Sequence, residues 1–379
     1  MMSARLAGFA VGSLLFSSAF VARAEPMDLA LERLVANPGS CLGADGTGRF
    51  APTSGMSGGT GYRCEPDNRA FKRLVNQLGF ALAPSAMHSA RTTGFGGFHL
   101  SLEATYTNLS SGADYWKRGT QGAADPSTNR AAISNQSPAS ILQQYSLKLR
   151  KGFGFGLEIT GVVGVLPQTS LINGGADLRM AVLEGFRTGV LGILPDVAVG
   201  GGVRTITGTP ELQLTTVGVD AQISKPLTIQ DSSVLTPWLG YQYVWIFGDS
   251  GLVDLTPGTN AVQACGYTGP NVPGNPDPNP SKQSKPDATG KTGQVYDGQP
   301  VCSSGSPRDF NNNTVFNPVR LHRQRLIFGM NYRYEMVMVG AQFMTDLLSP
   351  SDANTGSNKD DLKGEARQWT LGLELGAVF

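Results

Sequence analysis

Hydrophobic and polar residues alternate one by one along much of the chain from Gly96 to Phe379. The final stretch, WTLGLELGAVF, shows the pattern clearly, because every second residue from Trp369 to Phe379 is apolar. A period of two predicts a β-strand, since successive side chains point to opposite faces of a sheet. The stretch is longer than a usual soluble strand and suits a tilted membrane-crossing strand of about 9–11 residues.

The same alternation recurs in segments that make about ten strands in all. They predict an all-β fold, a transmembrane antiparallel up-and-down β-barrel of about 10 strands, an even number that is typical of bacterial single-chain barrels. About 12 strands would result if Phe186–Leu194 or part of the segment 248–318 also paired. The segments read FHLSLEATYT, ILQQYSLKLR, FGLEITGVVGV, ADLRMAVLEGF, DVAVGGGVRTIT, LTTVGVDAQIS, PWLGYQYVWIF, RLIFGMNYR, MVMVGAQFM and WTLGLELGAVF.

The connections between these segments differ in length. Long links at 109–138, 248–318 and 345–367 alternate with tight ones such as Arg150–Gly154. Long loops on one rim and short turns on the other are the arrangement of a transmembrane barrel, and a soluble sandwich has no reason to sort its loops in this way. We therefore expect residues 96–379 to form the barrel, with the long links, including the loop 248–318, outside the cell.

The first residues have the features of a secretory signal peptide. Arg5 precedes an apolar stretch from Leu6 to Val21, and Ala22-Arg23-Ala24 is a small-x-small cleavage site. We expect residues 1–24 to be removed and Glu25 to begin the mature chain. No later run of about eighteen apolar residues predicts a transmembrane helix.

Residues 25–95 have a different pattern. MDLALERLV and DNRAFKRLVNQLGFALA carry helical periodicity, with Asp67 as the expected N-cap and Pro84 as the end of the second helix. The apolar face of that helix must be buried. We expect this helical N-terminal segment either to plug the barrel or to rest in the periplasm.

The charge balance and the spacing of the cysteines indicate which partners and sites are not expected. The 30 basic and 29 acidic residues become 28 and 29 once Arg5 and Arg23 leave with the signal peptide, a net charge of −1. Such a balance argues against a nucleic-acid partner. The residues indicate no cofactor and no metal site, because no Cys-x-x-Cys or neighbouring His accompanies the cysteines.

Four cysteines in an exported chain predict disulfide bonds. Three connectivities are open, and we favour the two local pairs, because each pair would close a loop within a Gly/Pro-rich segment that has little core of its own. The favoured pairs are Cys41–Cys64 and Cys265–Cys302.

The pattern resembles bacterial outer-membrane β-barrels of the porin-like class over roughly residues 96–379. In that class the last strand typically ends in an aromatic residue and is the signal read by the barrel assembly machinery. The resemblance implies an outer-membrane localisation, with membrane lipid and that machinery as partners. Some transporters of this membrane carry an N-terminal plug, but their early Asn-Pro-Ala element is absent here. The residues that match the assembly signal are Trp369, Leu371, Leu373, Leu375, Ala377 and Phe379.

Charged residues on the polar faces of the strands are the candidate functional residues. In a narrow lumen they would pair in a structural network, because unpaired charges in a restricted interior are costly. The alternative is a water-filled path whose charges select solutes. We favour the network, since the signs are mixed. The lumen-facing candidates are Glu103, Lys148, Arg150, Glu158, Asp177, Arg179, Arg204, Asp220, Arg325, Arg333 and Glu374.

Three functions compete. We favour a channel or transporter for small molecules, with a structural or surface-interaction barrel with a closed lumen as the alternative. An outer-membrane hydrolase is the least favoured, and the chain is not expected to be an enzyme. Of His88, His99 and His322, only His322 stands near the outer end of a strand, where rim catalysis would place it.

Overall fold

A computed structural model describes residues 25–36, 38, 64–85, 87–124, 132, 134–185, 194–230, 233–255, 266–267, 300–301 and 313–379. Ten long strands in these residues pair antiparallel with their neighbours, and the first pairs with the last, so the sheet closes into a ring. The prediction of a barrel of about ten strands is confirmed. The strands are β1 (Phe98–Asn108), β2 (Ile141–Gly152), β3 (Leu157–Val165), β4 (Ile172–Leu183), β5 (Asp196–Thr207), β6 (Leu212–Ser224), β7 (Ser233–Ser250), β8 (Val319–Tyr334), β9 (Val337–Asp346) and β10 (Trp369–Val378).

Short strands outside the ring account for most of the remaining pairing in the described residues, and two isolated bridges join Leu29 to Thr120 and Val35 to Pro66. Leu227–Gln230 pairs with the start of β7. Val253–Asp254 pairs with Asn313–Thr314, and Gly266–Tyr267 pairs with Pro300–Val301. These last two ladders belong to the long connection after β7, so the pairing that we considered there adds no strand to the ring. The stretch Phe186–Leu194 lies almost entirely outside the described residues.

The exterior of the ring is apolar. Leu102 is 63 % exposed and Leu375 is 57 % exposed, although both lie in the middle of strands. Aromatic side chains flank this surface near one end, at Tyr241 and Trp369, and near the other, at Tyr334 and Phe379. Closure leaves no unpaired edge, and an exposed apolar belt between aromatic girdles is the exterior that hydrocarbon requires. The predicted outer-membrane β-barrel class is therefore confirmed.

The two ends of the barrel carry different connections. At one end, which we call the loop rim, residues 109–140, 251–318 and 347–368 form the three long links that the sequence predicts. The sorting by length is incomplete, because the loop rim also holds the short links 166–171 and 208–211. The other end, the turn rim, holds the tight links 153–156 and 335–336 together with the longer link 184–195. Both the start of β1 and the end of β10 lie at the turn rim.

Helix α1 (Asn68–Leu82) lies inside the ring. The Asp67 carboxylate caps its first turn by accepting a hydrogen bond from Ala70 N at 2.9 Å. Helix residues contact one side of the ring, since Asn76 Oδ1 accepts from Arg323 of β8 at 2.8 Å and Gln77 O accepts from Gln368 near β10 at 3.4 Å. The residues after the helix reach another side, where Lys148 of β2 donates to Ser85 Oγ at 2.6 Å. The helix therefore lies inside the lumen, and the residues that follow it span the ring.

Residues 25–36 lie at the loop rim. Met27 N donates to Gln168 O of the β3–β4 link, and Ala30 N donates to Gly119 O of the β1–β2 link. The 3₁₀ turn Leu31–Arg33 lies here, and the short helices α2 (Asp114–Arg118) and α3 (Ser357–Asp361) belong to two of the long links. We call residues 25–36, α2 and the link 347–368 the cap. From α1, residues 83–97 continue to the turn rim, where β1 begins.

Among the described residues, no helix is long and apolar enough to cross a membrane.

Candidate functional site

The half of the lumen towards the loop rim is filled by one apolar core. Phe71, Leu74 and Val75 of α1 are fully buried there. The inner wall contributes Ile246 of β7, which approaches Gly79 so closely that a Cβ at that glycine would lie 2.4 Å from Ile246 Cγ2. Such an approach requires glycine on the helix. The amphipathic helix thus buries its apolar face inside the barrel.

Polar side chains tie the helix to the cap. Gln77 Oε1 accepts hydrogen bonds from Trp116 Nε1 at 2.8 Å and from Ser110 N at 3.0 Å. Lys72 forms an ion pair with Asp361 of α3 at 2.5 Å. Two of the long links are therefore bonded directly to the helix, and the loop rim is covered.

Four pairs of opposite charge line the half of the lumen towards the turn rim. Each joins two of the predicted lumen-facing residues. Lys148 binds Glu103, and Arg150 holds both carboxylate oxygens of Glu158 at 3.0 and 3.1 Å. Arg179 binds Asp220 at 3.2 Å, and Arg204 holds both oxygens of Asp177 at 2.7 Å. These wall-to-wall pairs are the arrangement expected of a structural network.

The remaining predicted residues have other surroundings. Arg325 is fully buried, binds Gln242 of β7 and donates to Phe80 O at 3.1 Å and Pro84 O at 2.7 Å at the end of α1. Glu374 is 3 % exposed, lies directly opposite Glu103 across the β1–β10 pair, and has no hydrogen-bond partner on either carboxylate oxygen within the described part of the chain. Arg333 is exposed at the turn rim.

Sequence reasoning missed a fully buried pair on the wall. Arg323 of β8 binds Asp346, the last residue of β9, and its guanidinium lies 4.7 Å from the centre of the Phe80 ring. Our predicted strands began near Arg325 and ended at Met344, because the outward positions beyond them are polar or leave the apolar pattern. Extending the alternation by one step would have found both residues.

The three histidines have different surroundings. His99 is fully buried beside Arg150, whose NH1 lies 3.1 Å from His99 Nδ1. His88 is also inside the ring, 3.7 Å from Glu158, and burial followed by the charge of Arg150 lowers its pKa well below the ordinary range. His322 faces outward on β8, against the ring of Tyr243 at 5.6 Å, and its Nδ1 has no hydrogen-bond partner in the described residues. His322 thus lies near the loop-rim end of β8, as the sequence predicts, and catalysis there stays the least favoured hypothesis.

The Gly-rich part of β5 permits a close approach. A Cβ at Gly202 would lie 1.9 Å from Asp177 Oδ1 and 3.1 Å from Pro84 Cβ, so glycine leaves room for both the ionic pair and the segment after α1. Gly202 of the GGGVR sequence therefore has a packing role.

The residues of the assembly signal lie on the outward face of β10, and their recognition stays a prediction. Cys64 is buried and disulfide-bonded. Cys41, Cys265 and Cys302 lie outside the described residues, so the pairing stays a prediction. Within the described residues, no three His, Cys, Asp or Glu side chains form a group that could hold a metal ion.

Two cavities mark the space that the helix leaves. One, of about 10 Å³, lies between Ser85 and Lys148 in the lumen, room for a single water. The other, of about 510 Å³, lies at the turn rim between residues 88–94 and the wall.

No protein-family model and no curated protein matches the chain. The fold is similar to solved structures. Ail of Yersinia pestis, in complex with the heparin analogue sucrose octasulfate, is 9 % identical, with 75 % of this chain and 99 % of that chain covered and a TM-score of 0.24. Omp33 of Acinetobacter baumannii is 8 % identical, with coverage of 75 % and 98 % and a TM-score of 0.24. OprG of Pseudomonas aeruginosa is 9 % identical, with coverage of 77 % and 99 % and a TM-score of 0.16.

At these TM-scores the similarity carries no argument about the site. The closed ring and its lipid-facing exterior identify an outer-membrane barrel without it.

Proposed function

We propose that the protein is an outer-membrane barrel with a closed lumen, which presents the cap at the cell surface as an interaction surface. The observation that carries the proposal is the packing of α1 inside the lumen, where its apolar face is part of the buried core. Of the functions that the sequence leaves possible, an interaction barrel with a closed lumen agrees with a filled lumen better than a permanently open channel does.

The energy of burial argues that α1 stays in place. Phe71, Leu74, Val75, Leu78 and Leu82 are all at most 2 % exposed. Fully burying one such side chain contributes roughly 1.5–3 kcal/mol, so five contribute about 8–15 kcal/mol as an upper estimate. Since about 1.4 kcal/mol is a factor of ten, spontaneous withdrawal of the helix into water would be rare.

A channel that opens by movement of α1 is the second candidate, and the charged wall favours it. Lys148–Glu103, Arg150–Glu158, Arg179–Asp220 and Arg204–Asp177 pair within the wall. These pairs would remain intact without the helix, and they would line a path that water could enter. A small-molecule solute would be the cargo.

Single-channel recording in a planar bilayer separates the two candidates. A variant with Gly79→Cys and Ile246→Cys places two thiols where the helix meets the wall, and an oxidised pair would lock the helix. A closed barrel should conduct in neither the reduced nor the oxidised form. Conductance of the wild type and of the reduced variant, abolished by oxidation, would reject the closed lumen and support the gated channel.

A further inference from the structure

The cavity of about 510 Å³ at the turn rim has the size of a small-molecule site. Residues 88–94 form one side of it, and the inner faces of β2, β7, β8, β9 and β10 form the other. The cavity lies below the lumen that α1 fills.

Most charged groups that line the cavity are already bonded to protein partners. Arg150 holds Glu158, and Arg91 lies 3.0 Å from Asp196. Glu184 accepts from Thr92 N at 3.0 Å and from the Thr92 hydroxyl at 2.9 Å. These groups shape the cavity and are not free to bind a charged ligand.

Two charged residues that line the cavity, Arg333 and Glu335, form no ion pair with a described residue. Arg333 Nε donates to Glu335 O at 2.8 Å, and the Arg333 guanidinium forms no ion pair with Glu184, Glu335 or any other described carboxylate. Both terminal nitrogens lack a protein acceptor in the described part of the chain. A guanidinium with a free planar edge is suited to bind a carboxylate through two parallel hydrogen bonds.

The neighbours of Arg333 on the wall are apolar. In the strand register Arg333 lies directly opposite Val234 of β7 on one side and Met338 of β9 on the other. Both line the cavity, together with Val378 of β10. A ligand held by Arg333 would therefore place its carbon chain against these three side chains, which favours an organic anion over inorganic phosphate.

We propose that this cavity binds a small organic carboxylate, with Arg333 holding the carboxylate and Val234 and Met338 contacting its alkyl chain. Nothing in the closed-lumen function requires this site. It would make the barrel a receptor for a solute that reaches it from the turn rim.

Titration calorimetry on the purified full chain in a non-ionic detergent tests the proposal, with hexanoate as the probe. We expect hexanoate to bind, and hexanamide, which lacks the charge, to bind at least ten-fold more weakly. Acetate, which lacks the chain, should also bind more weakly. Failure of the wild type to bind hexanoate, or equal binding of hexanoate and hexanamide, would overturn the proposal.

Variants locate the site. Arg333→Gln should weaken hexanoate binding at least ten-fold, and Met338→Glu should do the same by placing a carboxylate beside Arg333. Arg320→Gln is the matched control, because Arg320 lies on the same strand at the loop rim and is already paired with Asp249. Unchanged binding by both site variants, or an equal loss in Arg320→Gln, would contradict the assignment.

Discussion

The contact between Gly79 and Ile246 gives a sharp test of the position of α1. A Cβ on residue 79 would meet three side-chain carbons of Ile246 at 2.4, 2.8 and 2.9 Å. Ordinary carbon contacts are about 3.5–4.0 Å. Gly79→Ala must therefore displace the helix or the isoleucine, and overpacking of this kind costs about 1–3 kcal/mol.

Two terms oppose each other in this variant. Alanine in place of glycine in a helix interior gains about 1 kcal/mol, so Gly79→Ala in the wild type should lower the free energy of unfolding by about 0–2 kcal/mol. In an Ile246→Ala background the steric term disappears. There the same change should raise the free energy of unfolding by up to about 1 kcal/mol. Gly79→Ala should thus be neutral or destabilising in the wild type and neutral or stabilising in the Ile246→Ala background.

Urea unfolding of the four proteins of the cycle, in one detergent and with linear extrapolation, measures the coupling. We expect a coupling free energy of about 1–3 kcal/mol between the two sites. Gly112→Ala is the control, since nothing lies within 4 Å of a Cβ there, and its effect should add to that of Ile246→Ala. A coupling below about 0.5 kcal/mol would show that α1 does not lie against β7, and the closed lumen would be refuted.

Two further predictions concern charge. Arg323→Met leaves Asp346 buried without its cation and should destabilise the protein by about 3–5 kcal/mol in the same unfolding assay. Arg320→Met, at a pair that is about half exposed, should change stability by at most about 1 kcal/mol; equal effects of the two would contradict the buried pair. Burial raises the pKa of Glu211, which accepts a hydrogen bond from Leu31 N, from 4.5 to about 7. Because the protonated form is favoured in the folded state, the contribution of Glu211 to stability should be largest below pH 4.5 and should be lost as the pH rises through about 7. Urea midpoints at pH 5 and pH 8 measure this loss of stability, and Glu211→Gln should remove part of it. A wild-type stability that rises from pH 5 to pH 8, with no such rise in the variant, would contradict the predicted direction.

The strands could be predicted from the sequence because a lipid-facing barrel wall imposes a strict alternation. Leu371, Leu373 and Leu375 must face hydrocarbon, and the residues between them must face the lumen. The alternation of apolar and polar residues is lost where β8 extends beyond the apolar belt. There the outward residues Arg320 and His322 are polar, so periodicity no longer marks the strand and its buried Arg323 was missed.

The partners within the lumen could not be predicted, because they depend on register and on the path of α1. Arg179 of β4 and Asp220 of β6 are separated by β5, and they meet because both lie opposite Gly200, which places no side chain between them. The amphipathic pattern of α1 shows that one face must be buried, but it does not say against what. The role of Gly79 could not be predicted either, because it depends on which side chain approaches this glycine.

The path of the chain constrains how the molecule can be assembled. Residues 25–36 lie at the loop rim, and β1 starts at the turn rim, so the polypeptide traverses the full height of the barrel before it forms its first strand. The ring is joined where β1 meets β10. Once β1 and β10 are hydrogen-bonded along their length, a folded segment that is bonded to several loops cannot enter the ring between these two strands. The helix must therefore enter the ring either before the β1–β10 seam closes or through one of the two rims.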